Sequence, residues 1–129
     1  MKKSLTTLSL LIAMALPMIA AEKKMEPKPR LLRHVVMFKF KGAAKPAEVE
    51  KVVAAFGDLK NKISQIAAYE WGTNNSPENL NKGFTHCFVL SFKSEQDRDA
   101  YLPHPEHKAF VARLKPVLEE AFVIDYWSN

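Results

Sequence analysis

Apolar and polar residues alternate over residues 33–41, so that His34, Val36, Phe38 and Phe40 share one face and Val35, Met37, Lys39 and Lys41 the other. That is the pattern of a strand. Beyond Gly42 the period changes. Val49, Val52, Val53, Phe56, Leu59 and Ile63 recur at three- and four-residue steps, the stripe of an amphipathic helix, with Pro46 suited to its first turn. Residues 66–72 make a weaker strand carrying Tyr69 and Trp71, and the polar stretch 73–83 is long for a hairpin connection. A clear strand follows over 85–92, with His86, Phe88, Leu90 and Phe92 on one face and Cys87, Val89 and Ser91 on the other.

Ser94 with Asp97 is a capping pattern for a short helix that ends at Leu102, where Pro103-His104-Pro105 interrupts it. A second helical stripe restarts near Pro105 and takes in His107, Phe110, Val111, Leu114, Val117, Leu118 and Ala121. Pro116 should kink it or end it early. Residues 122–127 close the chain as a strand. The order is β-α-β-β-α-β, the split arrangement of an α+β, ferredoxin-like domain. The aromatic face that carries His34 and His86 is expected to lie under the helices. The opposite face presents Val35, Met37, Cys87 and Val89, too apolar for an antiparallel sheet facing water, and so predicts a homodimer closed over it.

Before this domain stands a different composition. Lys2 and Lys3 precede an uncharged stretch, residues 4–21, with an apolar centre over 8–16, a helix-breaking Pro17 and small residues at Ala20 and Ala21. This is the layout of a secretory signal peptide. The alternative, an uncleaved anchor, is at the short end of the roughly 20 apolar residues that a span needs, and Thr6, Thr7, Ser9 and Pro17 dilute it. The organisation expected is a signal peptide over 1–21, an exposed linker over 22–30 and one domain over 31–129, exported to a periplasmic or extracellular space without stable membrane insertion after cleavage.

Charge changes little. The whole chain carries +5, but from residue 31 onward 13 Lys and Arg face 12 Asp and Glu, a net of +1. A nucleic-acid partner normally requires a basic stripe on the domain, and none is visible. The single cysteine, Cys87, permits no internal disulfide and reads as a small apolar residue.

The chemistry rests on four histidines and a tyrosine. His34 and His86 lie on the inward sheet face, His107 begins the apolar stripe of the last helix, and Tyr101 ends the helix before it. Converging on one cavity, imidazoles would supply proton transfer near neutral pH, and a phenol would polarise a carbonyl. His104, between two prolines, is a turn residue or a pocket rim. Three histidines also suit zinc or copper, yet no ligand pair shares a helix, so the site is read as metal-free and without a cofactor.

Several segments together resemble the stress-responsive dimeric α/β-barrel (Dabb) family. They are the strand His34-Val35-Val36-Met37-Phe38-Lys39-Phe40-Lys41, then Gly83-Phe84-Thr85-His86, the run Tyr101-Leu102-Pro103-His104-Pro105-Glu106-His107, and Ile124-Asp125-Tyr126. The resemblance covers about residues 31–127 and implies a ferredoxin-like fold whose sheets pair into a dimeric barrel. One plant polyketide cyclase of the family performs an aldol-type ring closure with a histidine base and a tyrosine partner. The resemblance places these roles on His107 and Tyr101, with His34, His86 and His104 matching further histidines. A pocket tyrosine of that cyclase falls at Phe56, so the same substrate is not implied. The function expected is a small-molecule pocket with acid/base chemistry on a carbonyl compound. The alternatives are a non-catalytic dimeric stress or binding protein and a cofactor-free oxygenase.

Overall fold

The computed structural model describes residue 2 and residues 14–129; the expected signal peptide lies mostly outside the described residues. Residues 14–30 have no regular secondary structure and stand exposed. Seven elements follow: β1 (Leu32–Phe40), α1 (Pro46–Lys62), β2 (Ala68–Thr73), β3 (His86–Phe92), α2 (Glu95–Tyr101), α3 (Pro105–Leu114) and β4 (Leu118–Trp127). The strands form one antiparallel sheet in the order β2-β3-β1-β4, which is the ferredoxin-like arrangement expected.

The local reasons are those of the sequence. Pro46 opens α1, and the Glu48 carboxylate accepts from the Lys45 backbone N–H at 2.8 Å. The Ser94 hydroxyl accepts from the Asp97 N–H at 3.1 Å and starts α2. α1 lays Val52, Phe56 and Leu59 onto the inner sheet face, where Leu32, Val36, Phe38, Phe88, Leu90 and Phe92 are buried with them. Phe56 stacks on Phe88 at 4.5 Å and meets Phe110 of α3 edge-on at the same distance. This aromatic cluster joins both helices to the sheet.

Two expectations are corrected. The last strand starts four residues earlier than the pattern suggested, at Leu118 instead of residue 122, so Leu118 and Ala121 belong to β4 and not to the helical stripe. Pro116 is the cause: it has no N–H to continue α3, which stops at Leu114, and the chain turns through Val117 into the sheet. The helices also cover the sheet unevenly. β4 is an edge strand, and its inner-face Val123 is 51% exposed.

Candidate functional site

The uneven cover leaves a cavity of about 580 Å³ over the inner face of β1 and β4, flanked by α2 and α3. His34, Arg98, Tyr101, His107 and Asp125 form its polar end; Val36, Phe38, Phe56, Phe110, Leu114 and Val123 make up most of the remainder. The structure therefore brings together four of the six residues singled out from sequence: His34, Tyr101, His107 and Phe56.

The helix break positions His107. α2 ends at Tyr101, the chain turns, and His104 caps α3 by accepting from the Glu106 N–H at 3.1 Å. Pro105 follows as the first helical residue. The carbonyl of Leu102, at the end of α2, would otherwise lack a helical partner. His107 Nδ1 meets it at 2.8 Å. A carbonyl only accepts, so Nδ1 carries the hydrogen and Nε2 keeps its lone pair. Burial lowers the basicity of this imidazole. The ring lies 4.3 Å from that of Tyr101.

Tyr101 is fully buried, and its hydroxyl has no hydrogen-bond partner. Burial, with a smaller effect from Tyr69, pushes its ionisation far up, so it is a neutral donor. His34 is 6% exposed and lies 5.8 Å from the Tyr101 ring. Its Nδ1 is 2.6 Å from Asp125 Oδ1, and Arg98 donates to Asp125 Oδ2 at 3.1 Å. The carboxylate orients the imidazole so that Nδ1 donates and Nε2 is free to accept.

His86 and His104 fall outside this cavity. His86 shares the inner face but sits at the other end of the sheet. β1 and β3 run antiparallel, so the start of β3 lies beside the end of β1: His86 pairs with Phe38, whereas His34 pairs with Leu90. Four residues of strand, roughly 13 Å, separate the two levels. His86 stacks parallel on Trp71 at 6.1 Å, meets Phe40 edge-on at 5.1 Å, and hydrogen-bonds the Thr85 hydroxyl at 2.8 Å. It borders a separate cavity of about 470 Å³ with Met37, Cys87, Phe122 and the loop residues Asn81 and Lys82. His104 is the cap just described.

Sequence reasoning missed Asp125 and Arg98 as site residues. The signal for Asp125 was present: it takes an inner-face position in a strand whose other inner-face residues are Leu118, Ala121, Val123 and Trp127. A carboxylate there requires a partner. Arg98 precedes Tyr101 by three residues and so shares its helix face.

Comparisons agree with this architecture. Residues 32–128 match the family described as Stress responsive A/B Barrel Domain. The stress-response A/B barrel domain-containing protein HS1 of Arabidopsis thaliana is 33% identical over 102 residues, covering 79% of this chain and 94% of that protein. Olivetolic acid cyclase of Cannabis sativa is 26% identical over 95 residues, 74% of this chain and 94% of the cyclase. Among solved structures, hydroxynitrile lyase from Passiflora edulis superposes with a TM-score of 0.73 at 27% identity, covering 78% of this chain and 95% of the lyase. A dimeric protein of ferredoxin-like fold from Bacteroides fragilis superposes with a TM-score of 0.61 at 28% identity, covering 74% and 94%.

Proposed function

Because the chain belongs to the stress-responsive A/B barrel (Dabb) family, we propose that it is a cofactor-independent small-molecule enzyme whose cavity performs acid/base chemistry on an apolar carbonyl compound. One observation carries this reading. His107, its Nδ1 held by the Leu102 carbonyl, lies against a buried tyrosine whose hydroxyl has no protein partner, at the polar end of an otherwise apolar cavity. His107 Nε2 takes a proton from the carbon beside the carbonyl, and the Tyr101 O–H donates to the carbonyl oxygen as negative charge develops there. His34, fixed by Asp125, accepts through Nε2 from a hydroxyl or enol O–H of the substrate. Two relatives carry enzymatic names, a cyclase and a hydroxynitrile lyase, which supports an enzyme over a purely structural domain.

The test uses the domain from residue 22 onward and a panel of aryl and alkyl β-dicarbonyls. Thermal shift reports binding, and nuclear magnetic resonance reports exchange of the acidic α-proton for solvent deuterium. The expected result is exchange catalysed by the wild type and slowed about 100-fold or more in His107→Ala. Equal exchange by that variant would refute the reading.

We also propose that the protein is an exported homodimer. The outer sheet face carries Val35, Met37, Cys87 and Val89, and β4 adds Phe122, Ile124 and Tyr126, each about half exposed. This continuous apolar surface supports closure by a second copy, as does the dimeric relative. Export rests on the leader. Intact-mass measurement in the native host should find a chain beginning at Ala21 or Glu22, and one retaining Lys2 and Lys3 would overturn it.

A further inference from the structure

A chain of polar contacts runs along the polar end of the cavity. His34 Nδ1 lies 2.6 Å from Asp125 Oδ1, Arg98 Nη1 donates to Asp125 Oδ2 at 3.1 Å, and Arg98 Nε donates to Asp99 Oδ1 at 3.1 Å. All four residues line the cavity. The Asp99 side chain is mostly exposed and screened by water, whereas those of Asp125 and Arg98 are only 22% and 21% exposed.

One carboxylate thus serves two partners. Bonded to an imidazole alone in a shielded site, it would favour the imidazolium, since an opposite charge at hydrogen-bond distance stabilises the charged form. Here its second oxygen already holds a guanidinium, which is permanently charged. The guanidinium answers the charge of Asp125 and repels a second cation, so His34 gives its Nδ1 hydrogen to the carboxylate without gaining another at Nε2. No other neighbour reverses this balance. Tyr101 on α2 is a neutral phenol, and charge on His34 is mutually unfavourable with charge on His107 of α3. β3 contributes Phe92 and Leu90, Tyr69 on β2 stands beyond Leu90 in the same row, and α1 brings Phe56 to the cavity.

We propose that Arg98 is a positioning residue that sets the charge of the ligand: by sharing Asp125 it holds His34 uncharged, with Nε2 as an acceptor, so that the cavity takes uncharged enol- or hydroxyl-bearing carbonyl compounds and turns away their carboxylate analogues. An enol O–H finds the Nε2 lone pair, and its carbonyl oxygen finds the Tyr101 O–H. A carboxylate finds no such match. Nε2 brings it no hydrogen, and the one guanidinium lining the cavity is bound to two carboxylates. The inference rests on the enzyme reading of this cavity and narrows its substrate class.

The probes are benzoylacetone, uncharged at neutral pH, and benzoylacetate, in which a carboxylate replaces the acetyl group. Binding is followed by calorimetry, and the protonation of His34 by the nitrogen resonances of its ring. The wild type should bind benzoylacetone about tenfold or more tighter than benzoylacetate, and its His34 Nε2 should give the signal of a bare nitrogen at about pH 6.5. In Arg98→Met that signal should become that of an N–H. Benzoylacetone should then bind about tenfold more weakly and regain affinity as pH rises to about 8, while wild-type binding changes little over that range. Arg98→Lys, which keeps the cation, should restore the bare nitrogen. An Nε2 signal that is the same in Arg98→Met as in the wild type overturns the role of Arg98, and so does a wild type whose Nε2 is already protonated. A wild type that binds both compounds alike overturns the ligand class alone, and one that binds neither overturns it together with the reading of the cavity.

Discussion

Replacing Asp125 by Ala removes the carboxylate that holds His34, and the structure sets the size of the effect. The His34 side chain is 8% exposed and that of Asp125 22%, so their 2.6 Å contact is largely shielded from water. A hydrogen bond to a charged group contributes about 1.5–3 kcal/mol, and its loss leaves a buried imidazole N–H without an acceptor. Arg98, at 3.1 Å from the same carboxylate and itself partly solvated, adds at most about 1 kcal/mol. The expected loss is roughly 2–4 kcal/mol. For a domain of this size each kcal/mol moves Tm by about 4–8 °C, so melting should fall by roughly 10 °C or more at fixed protein concentration. Asp125→Asn keeps an oxygen for His34 Nδ1 and should lose about half as much. The decisive measurement is a double-mutant cycle with His34→Leu, followed by denaturant unfolding. A coupling of about 1–2 kcal/mol is expected. Additivity within about 0.5 kcal/mol would show that the pair contributes nothing and refute the reasoning.

Gly57→Ala should stabilise the domain by up to about 1 kcal/mol, since glycine inside a helix is unfavourable by that amount and the added Cβ would meet Tyr69 Cε1 at 3.5 Å, an ordinary contact; a lower melting temperature would contradict the packing. Burial depresses the His107 pKa below its ordinary 6.5, so between the two values the unfolded chain binds more protons than the native one and stability rises with pH. That contribution is fully present above about 6.5 and is lost as pH falls through the native value; His107→Gln should flatten this part of the stability profile in acid titrations followed by circular dichroism. Val89→Asp places a charge in the centre of the outer apolar face and should split the proposed dimer or unfold the chain. Light scattering that finds a monomeric wild type at micromolar concentration would remove its basis.

Period and punctuation carried most of the fold. Two-residue alternation in β1 assigned His34, Val36, Phe38 and Phe40 to the inner face; the first three are buried, and Phe40, at the end of the strand, is only partly so. The Pro103-His104-Pro105 break separated α2 from α3 where the structure does. What failed was long-range placement. Leu118 and Ala121 fit a helical stripe as well as an alternating strand, and only the register of β4 on β1 decides between them. His34 and His86 share a parity, which fixes a face but not a level along the strand. Antiparallel neighbours reverse direction, so two histidines that both start their strands lie at opposite ends. Asp125 escaped notice because its meaning depends on the residue across the ladder, and that residue is His34.

The two cavity histidines are held by the same ring nitrogen and yet suit different tasks. Each directs Nδ1 at an oxygen, the Leu102 carbonyl for His107 and the Asp125 carboxylate for His34, so both keep an Nε2 lone pair. A base that turns over must return its proton to solvent. His34 lies deep, between Phe92 and Tyr101, and its carboxylate is itself anchored by Arg98. That arrangement gives a fixed orientation and little access to water. His107 stands on the first turn of α3, only partly buried, beside the exposed Leu102. Its lowered basicity leaves it neutral at pH 7, ready to accept a proton and disposed to release it. Between them Tyr101 stays protonated, because burial makes its anion costly. In the proposed reaction, transient protonation therefore falls to His107, orientation to His34, and stabilisation of the developing oxyanion to Tyr101. Three environments in one fold separate these roles without any residue outside the usual twenty.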